Sequence, residues 1–272
     1  MTNIANWKQA NSDISLPQEG SLGAGDAALV TGARSGQPMK FPWQDVRFAL
    51  GRGSIDNPGV FSHFVGNQGL GTLPPPFRPN IGSTGTIAVV ADAIDGELAL
   101  TTAATSSDWT TVALGVNFTP TNGLLVANFK VKVGTIVTRA QEVGISDAMS
   151  ESAGLAFSDH SINGVTAVAD DAAIFSFDTT ASSANWLVNT SKALSEQAVD
   201  TGIPVVAGQY YELAILINDN GDAEFSIDGE LVATVTNAVT PTVAYTPWVS
   251  QVARAATAIV TTVDYIGIVA TA

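Results

Sequence analysis

Carboxylates and histidines are the side chains of this sequence that could move protons, so their spacing decides which reactions are open. A glycan-cleaving strand needs carboxylates on one face, at spacings such as Glu-x-Asp. None of Glu97, Glu142, Glu151, Glu196, Glu212, Glu224 and Glu230 has an aspartate two positions on, which argues against glycoside hydrolysis. The histidines, His63 and His160, lie in different regions. Ser158, Asp159 and His160 are the residue types of a nucleophilic triad. Neighbours along a strand point to opposite faces, however, and cannot converge on one atom. Both histidines are therefore expected in structural or surface roles, and no catalytic residue is assigned.

Other chemistries are no better served. The chain has no cysteine, which removes disulfides, thiolate metal sites and a cysteine nucleophile. The acidic stretches 158–164, 169–172 and 218–222 lack the ligand order of an EF-hand calcium loop. "NDNG" at 218–221 is explained by turn formation alone. The glycines of "GLGAGDAALVTGARSG" have no strand before them, no helix after and no Gly-Lys-Ser/Thr ending, so they form no phosphate loop. No metal and no cofactor is expected. Trp109, Trp186 and Trp248 could stack on sugars, but each sits in or beside a strand-like run and is expected in a core or an interface.

The charge is unevenly placed. Of the net −14, residues 1–80 hold six basic against five acidic residues, and 81–272 hold five against twenty. The acidic part repels nucleic acid and favours solubility. No apolar run has the length of a membrane helix, and the first residues lack the basic-then-apolar pattern of a secretion signal. Neither nucleic acid nor membrane insertion is expected.

The elements that must carry these residues are strands. From about Ile81, runs such as "TGTIAVVAD", "WTTVALGVNF", "NGLLVANFKVKVG", "QYYELAILIND" and "AEFSIDGELVATVT" follow one another with turn residues between them. This predicts an all-β antiparallel sandwich over 81–272. In "NDNGDAEFSIDGELVATV", Ala223, Phe225 and Ile227 share one face, Asp228 and Gly229 form a type I′ turn, and Leu231, Ala233 and Val235 alternate back. Leu213, Ile215 and Ile217 share a face of the preceding strand, which is expected to be central. Residues 1–80 are broken throughout by Gly and Pro and end in the polyproline-like "LPPPFRP". They are expected to form an irregular, extended N-terminal arm. Trp7, Phe41, Trp43, Phe48, Phe61, Phe64 and Phe77 are costly to leave in water, so they are expected to bury against the sandwich body, a sister copy or a foreign surface, and they are the candidate partner interface.

At "VVAGQYYELAILINDNGDAEFSIDGELVATV", closed by "VDYIGIVA", the sequence resembles the concanavalin-A-like (laminin-G-like) jelly-roll sandwich. With "GELALTTAATSSDWTTVALGVNFTP", "LLVANFKVKVG", "EVGISDA" and "GLAFSD", about residues 85–270 resemble bacteriophage structural proteins built on this sandwich. The resemblance implies a non-enzymatic virion protein that decorates or cements the outer surface of a capsid, or forms a head fibre, after assembly in the host cytoplasm. Its partners would be the major capsid protein and sister copies, with a trimer suited to three-fold lattice positions. The alternative is a carbohydrate- or receptor-binding sandwich that meets a host-surface glycan. A fold alone does not choose between these.

Overall fold

The computed structural model describes residues 77–90, 96–114, 118–120, 123–149, 151, 154–181 and 183–271, together with the backbone of 59–63. Its elements are β1 (Gly59–His63), β2 (Phe77–Ile81), β3 (Thr86–Val89), β4 (Leu98–Thr101), β5 (Trp109–Leu114), β6 (Leu125–Val133), β7 (Arg139–Ser146), β8 (Phe157–Asp159) and β9 (Thr166–Ala167). They continue with β10 (Asp171–Asp178), β11 (Asn185–Lys192), β12 (Ser195–Pro204), β13 (Tyr210–Ile217), β14 (Ala223–Ile227), β15 (Glu230–Val235), β16 (Thr246–Ala253) and β17 (Val260–Ala270). Among the described residues there is no α-helix. The expected all-β antiparallel sandwich is what the chain forms.

An eight-stranded sheet runs β15-β14-β13-β6-β17-β4-β3, with β1 also paired to β17. A seven-stranded sheet runs β12-β11-β10-β7-β16-β5-β2. The core lies between them, where alternate residues of each strand meet. In β6, Leu125, Ala127, Phe129, Val131 and Val133 are buried while the residues between them are partly exposed. Leu213, Ile215 and Ile217 do the same in β13, which sits centrally between β14 and β6. Edge-to-face rings lock the two layers: Phe175 meets Phe225 at 5.3 Å between centroids, and Trp186 meets Tyr211 at 5.6 Å.

The opening of the sandwich lies earlier than the sequence suggests. β1 pairs along β17, and β2 pairs along β5. β1 and the first four residues of β2 fall inside the expected arm of residues 1–80. The Gly and Pro around them hide the strand period, and pairing with an existing sheet edge supplies what local pattern does not. A second correction concerns Leu231. It is exposed, because a bulge between Phe225 and Ser226 shifts the register so that only Ala233 and Val235 return to the core. The Asp228-Gly229 turn is as expected, with positive φ at both residues.

Candidate functional site

The strands β7 and β10 are buried on both faces. One face meets the core. The other, carrying Ala140, Glu142 and Ser146 on β7 and Ala172, Ile174, Ser176 and Asp178 on β10, is covered by the 154–169 part of the β7–β10 connection. Phe157, Ala156 and Ala169 pack on Ala172 and Ile174. Leu155 packs on Ala140 and Val252, with Trp109 beside them.

Beneath this cover lies the acid–imidazole constellation of the molecule. Glu142 accepts hydrogen bonds from the Ala156 amide at 2.7 Å, the Phe157 amide at 2.9 Å, the Trp248 indole at 2.9 Å and His160 Nε2 at 2.9 Å. His160 Nδ1 meets Asp178 Oδ2 at 2.9 Å. Asp178 also accepts from the Thr180 amide at 2.9 Å, the Thr180 hydroxyl at 2.8 Å and the Arg254 guanidinium. Only an imidazolium can donate to carboxylates through both nitrogens. Burial pushes the His160 ring towards neutrality, but its bonds to Asp178 and Glu142 outweigh this and hold its pKa up at about 9. Burial likewise raises Asp178, and the donors from His160, Arg254 and Thr180 overcome it, leaving the carboxyl well below the usual range. Charges therefore alternate along Glu142, His160, Asp178 and Arg254.

This arrangement fastens the covering segment to the sheet. Every acceptor of Glu142 is engaged, and His160 and Glu142 are 1% and 0% exposed. A general base must reach its substrate and hold a free lone pair, and Glu142 does neither. The paper triad does not assemble: Ser158 and Asp159 are exposed, while His160 turns inward to Asp178. Sequence reasoning missed Glu142, Asp178 and Arg254 as partners of His160. The available signal was an ionisable residue in an otherwise apolar or small-residue strand, as in "AQEVGIS" and "AAIFSFD".

A second buried polar cluster lies between the sheets. Arg139 donates to the carbonyls of Thr135 at 3.0 Å and Val260 at 3.2 Å, to Gln251 Oε1 at 2.9 Å, and to Gln141 and Thr261. Burial lowers its pKa to about 9, so the guanidinium stays charged at neutral pH, balanced by neutral oxygens rather than by a carboxylate.

Two of the three tryptophans considered for sugar stacking are closed to it, and the third, Trp109, is partly buried. Trp186 and Trp248 are fully buried. Trp109 is packed against Gly82 and Gly154, where a Cβ would come within 2.4 Å and 2.2 Å of the indole. On the outer face of the larger sheet, Tyr210 has Lys132 Nζ 4.5 Å and Lys130 Nζ 5.2 Å from its ring centroid, and it hydrogen-bonds Glu97. Burial, then Glu97, raises the pKa of its hydroxyl. Among the described residues, no group of three or more His, Cys, Asp or Glu is arranged to hold a metal ion.

Of the expected interface aromatics, Phe77 lies in the core at 4% exposure. It starts β2 opposite Leu114, so its ring fills the sandwich rather than a partner surface. Phe61 lies in β1, opposite Gly267. Trp7, Phe41, Trp43, Phe48 and Phe64 lie outside the described residues.

No protein-family model and no curated protein matches the chain. Solved structures do. A protein of unknown function from Shewanella oneidensis MR-1 superposes with a TM-score of 0.56 at 10% identity, over 86% of this chain and 95% of the other. The cellulose induced protein Cip1 gives 0.48 at 10% identity, over 77% and 96%. A carbohydrate esterase from the Shiga toxin-encoding bacteriophage phi24B gives 0.43 at 17% identity, over 72% and 90%. At these identities the likeness is one of fold.

Proposed function

We propose that this chain is a non-enzymatic virion structural protein that decorates or cements the outer surface of a phage capsid through contact with the major capsid protein. The observation that carries the non-catalytic part is the closure of the acid–imidazole constellation. The cover that hides Glu142 is held by Glu142 itself, so substrate access and the carboxylate's own partners exclude one another. The virion part rests on the resemblance to phage structural sandwiches. The segments that carry it form strands here: "GELALTT" gives β4, "LLVANFKVKVG" gives β6, "EVGISDA" closes β7, "GLAFSD" gives β8, and "DYI" lies in β17.

The test is co-sedimentation of the full chain with purified capsids that lack it. Saturable, stoichiometric binding is expected. Residues 50–272 form one compact unit, so a chain cut there should fold, and without Trp7, Phe41, Trp43 and Phe48 it should bind capsids far more weakly. Full decoration by the shortened chain would assign the contact to the sandwich, and no binding by the full chain would end the reading.

Glycan attachment is the second reading. The observation in its favour is Tyr210, a partly exposed ring on the larger sheet with hydrogen-bonding groups around it. A glycan array with and without chelator tests it, with Tyr210→Ala as the variant that should abolish any signal.

A further inference from the structure

A line of polar side chains crosses the outer face of the smaller sheet in register. Thr111 on β5 pairs with Ser250 on β16, Ser250 with Glu142 on β7, and Glu142 with Ser176 on β10. The hydroxyls of Thr111 and Ser250 share a hydrogen bond of 2.8 Å, and Ser176 donates to Asn189 of β11. All five side chains are fully buried, and residues 154–160 lie along them.

The line grips that segment by its backbone. Ser250 and Thr111 donate to the Gly154 carbonyl, Glu142 accepts from the successive amides of Ala156 and Phe157, and Asn189 donates to the His160 carbonyl at 3.4 Å. Residue type matters at three seats. Gly154 has φ +73°, and a Cβ there would press into the Trp109 indole. Phe157 packs on Ala172 and Ile174. His160 sits between Glu142 and Asp178. Between these seats, Ser158 and Asp159 face solvent.

A permanent cover does not need this chemistry. Well-packed apolar residues in place of a buried ionic set are often as stable or more so. Side chains that hold main-chain groups are instead the mark of peptide recognition, where backbone hydrogen bonds give affinity and a few side-chain seats give specificity. We propose that the outer face of the smaller sheet is a peptide-binding groove, occupied in cis by residues 154–160. Its partner is an extended protein segment of the same chemistry: a glycine, an aromatic ring three residues on, and a cationic side chain three beyond that. The last seat selects a cation, because a neutral or acidic residue there would leave Glu142 and Asp178 buried without their shared counter-charge. The tethered segment competes at high effective concentration, so a partner must match all three seats to displace it. The inference stands apart from the capsid reading, because a free peptide tests it.

The probe is a capped, labelled peptide with the sequence of residues 154–161, GLAFSDHS, titrated into the full chain and followed by fluorescence anisotropy. His160→Ala removes the cation from the tethered segment. This variant should therefore bind the peptide about tenfold or more tightly than wild type, and its melting temperature should rise with added peptide. Replacing the peptide's histidine by alanine, or N-methylating its alanine and phenylalanine amides, should weaken binding about tenfold or more, as loss of hydrogen bonds to a charged group does. Wild type supplies a second measurement that needs no variant to fold. Peptide at millimolar concentration should speed deuterium exchange of the 154–169 amides and leave those of β6 and β13 unchanged. Equal binding of the N-methylated peptide would overturn the proposal, as would no binding to either protein together with unchanged exchange. Wild-type dimers that the peptide dissolves would also overturn it, because the occupant would then be a second copy.

Discussion

Trp248 Nε1, the amides of Ala156 and Phe157, and the His160 ring all donate to Glu142. Replacing it by glutamine would turn one acceptor oxygen into a donor that faces donors. Breaking a buried pair from one side costs about 3–5 kcal/mol, so Glu142→Gln should lower the free energy of unfolding in urea by roughly that amount. A near-neutral result would mean the cover is held by packing alone. The same residues set a pH window. The His160 pKa is raised from 6.5 to about 9, so its contribution is complete below about 6.5 and is lost as pH rises through about 9. The Asp178 pKa is depressed below 3.8, so its contribution is present above that value and is lost as pH falls towards the folded value. Stability should therefore be broadest in mildly acidic to neutral solution and fall on both sides. His160→Asn should flatten the alkaline limb in urea titrations from neutral to strongly alkaline pH. An unchanged alkaline slope would remove His160 as its cause.

The strands divide into those that local pattern dictates and those that the sheets impose. Period-two alternation made β6, β13 and β14 legible, because each has one wet face and one dry face. β7, β10 and β16 are dry on both faces, so no alternation marks which of their polar residues meet one another. That is why Glu142, Asp178 and the Arg139 cluster were invisible as partners: their contacts join positions far apart in sequence. Leu231 was misplaced because a bulge leaves no trace in residue type. Turn chemistry was more legible, and it makes a differential prediction. Gly221 has φ +82°, and a Cβ there would lie 2.1 Å from the Val239 carbonyl oxygen, whereas Gly229 has φ +85° and open space around it. Both positions need left-handed backbone, but only the first excludes a side chain. Gly221→Ala should cost more than the ~1–3 kcal/mol typical of backbone strain alone. Gly229→Asn should be nearly neutral, since asparagine tolerates positive φ. Melting temperatures of the two variants compare them directly, and equal losses would refute the close approach at Gly221.

For the molecule as a whole, two kinds of electrostatics compete and respond differently to salt. The alternating set of Glu142, His160, Asp178 and Arg254 is largely buried and only weakly screened. The surface carries the excess of a −14 chain, and self-repulsion destabilises a compact state. The acids around Asp171 show the strain locally. Burial first, and then the neighbouring Asp171 and Asp170, push the Asp147 carboxyl upward; Glu151 is raised by burial and by Asp147 among other acids. Added salt relieves this repulsion and leaves the buried set intact, so the melting temperature should rise with sodium chloride. For a domain of this size each kcal/mol is worth roughly 2–4 °C, which a calorimeter resolves. Asp147→Asn should raise stability at low salt and shrink the salt response. A melting temperature that falls with salt would mean that attractive surface pairs, rather than like-charge repulsion, dominate the exterior.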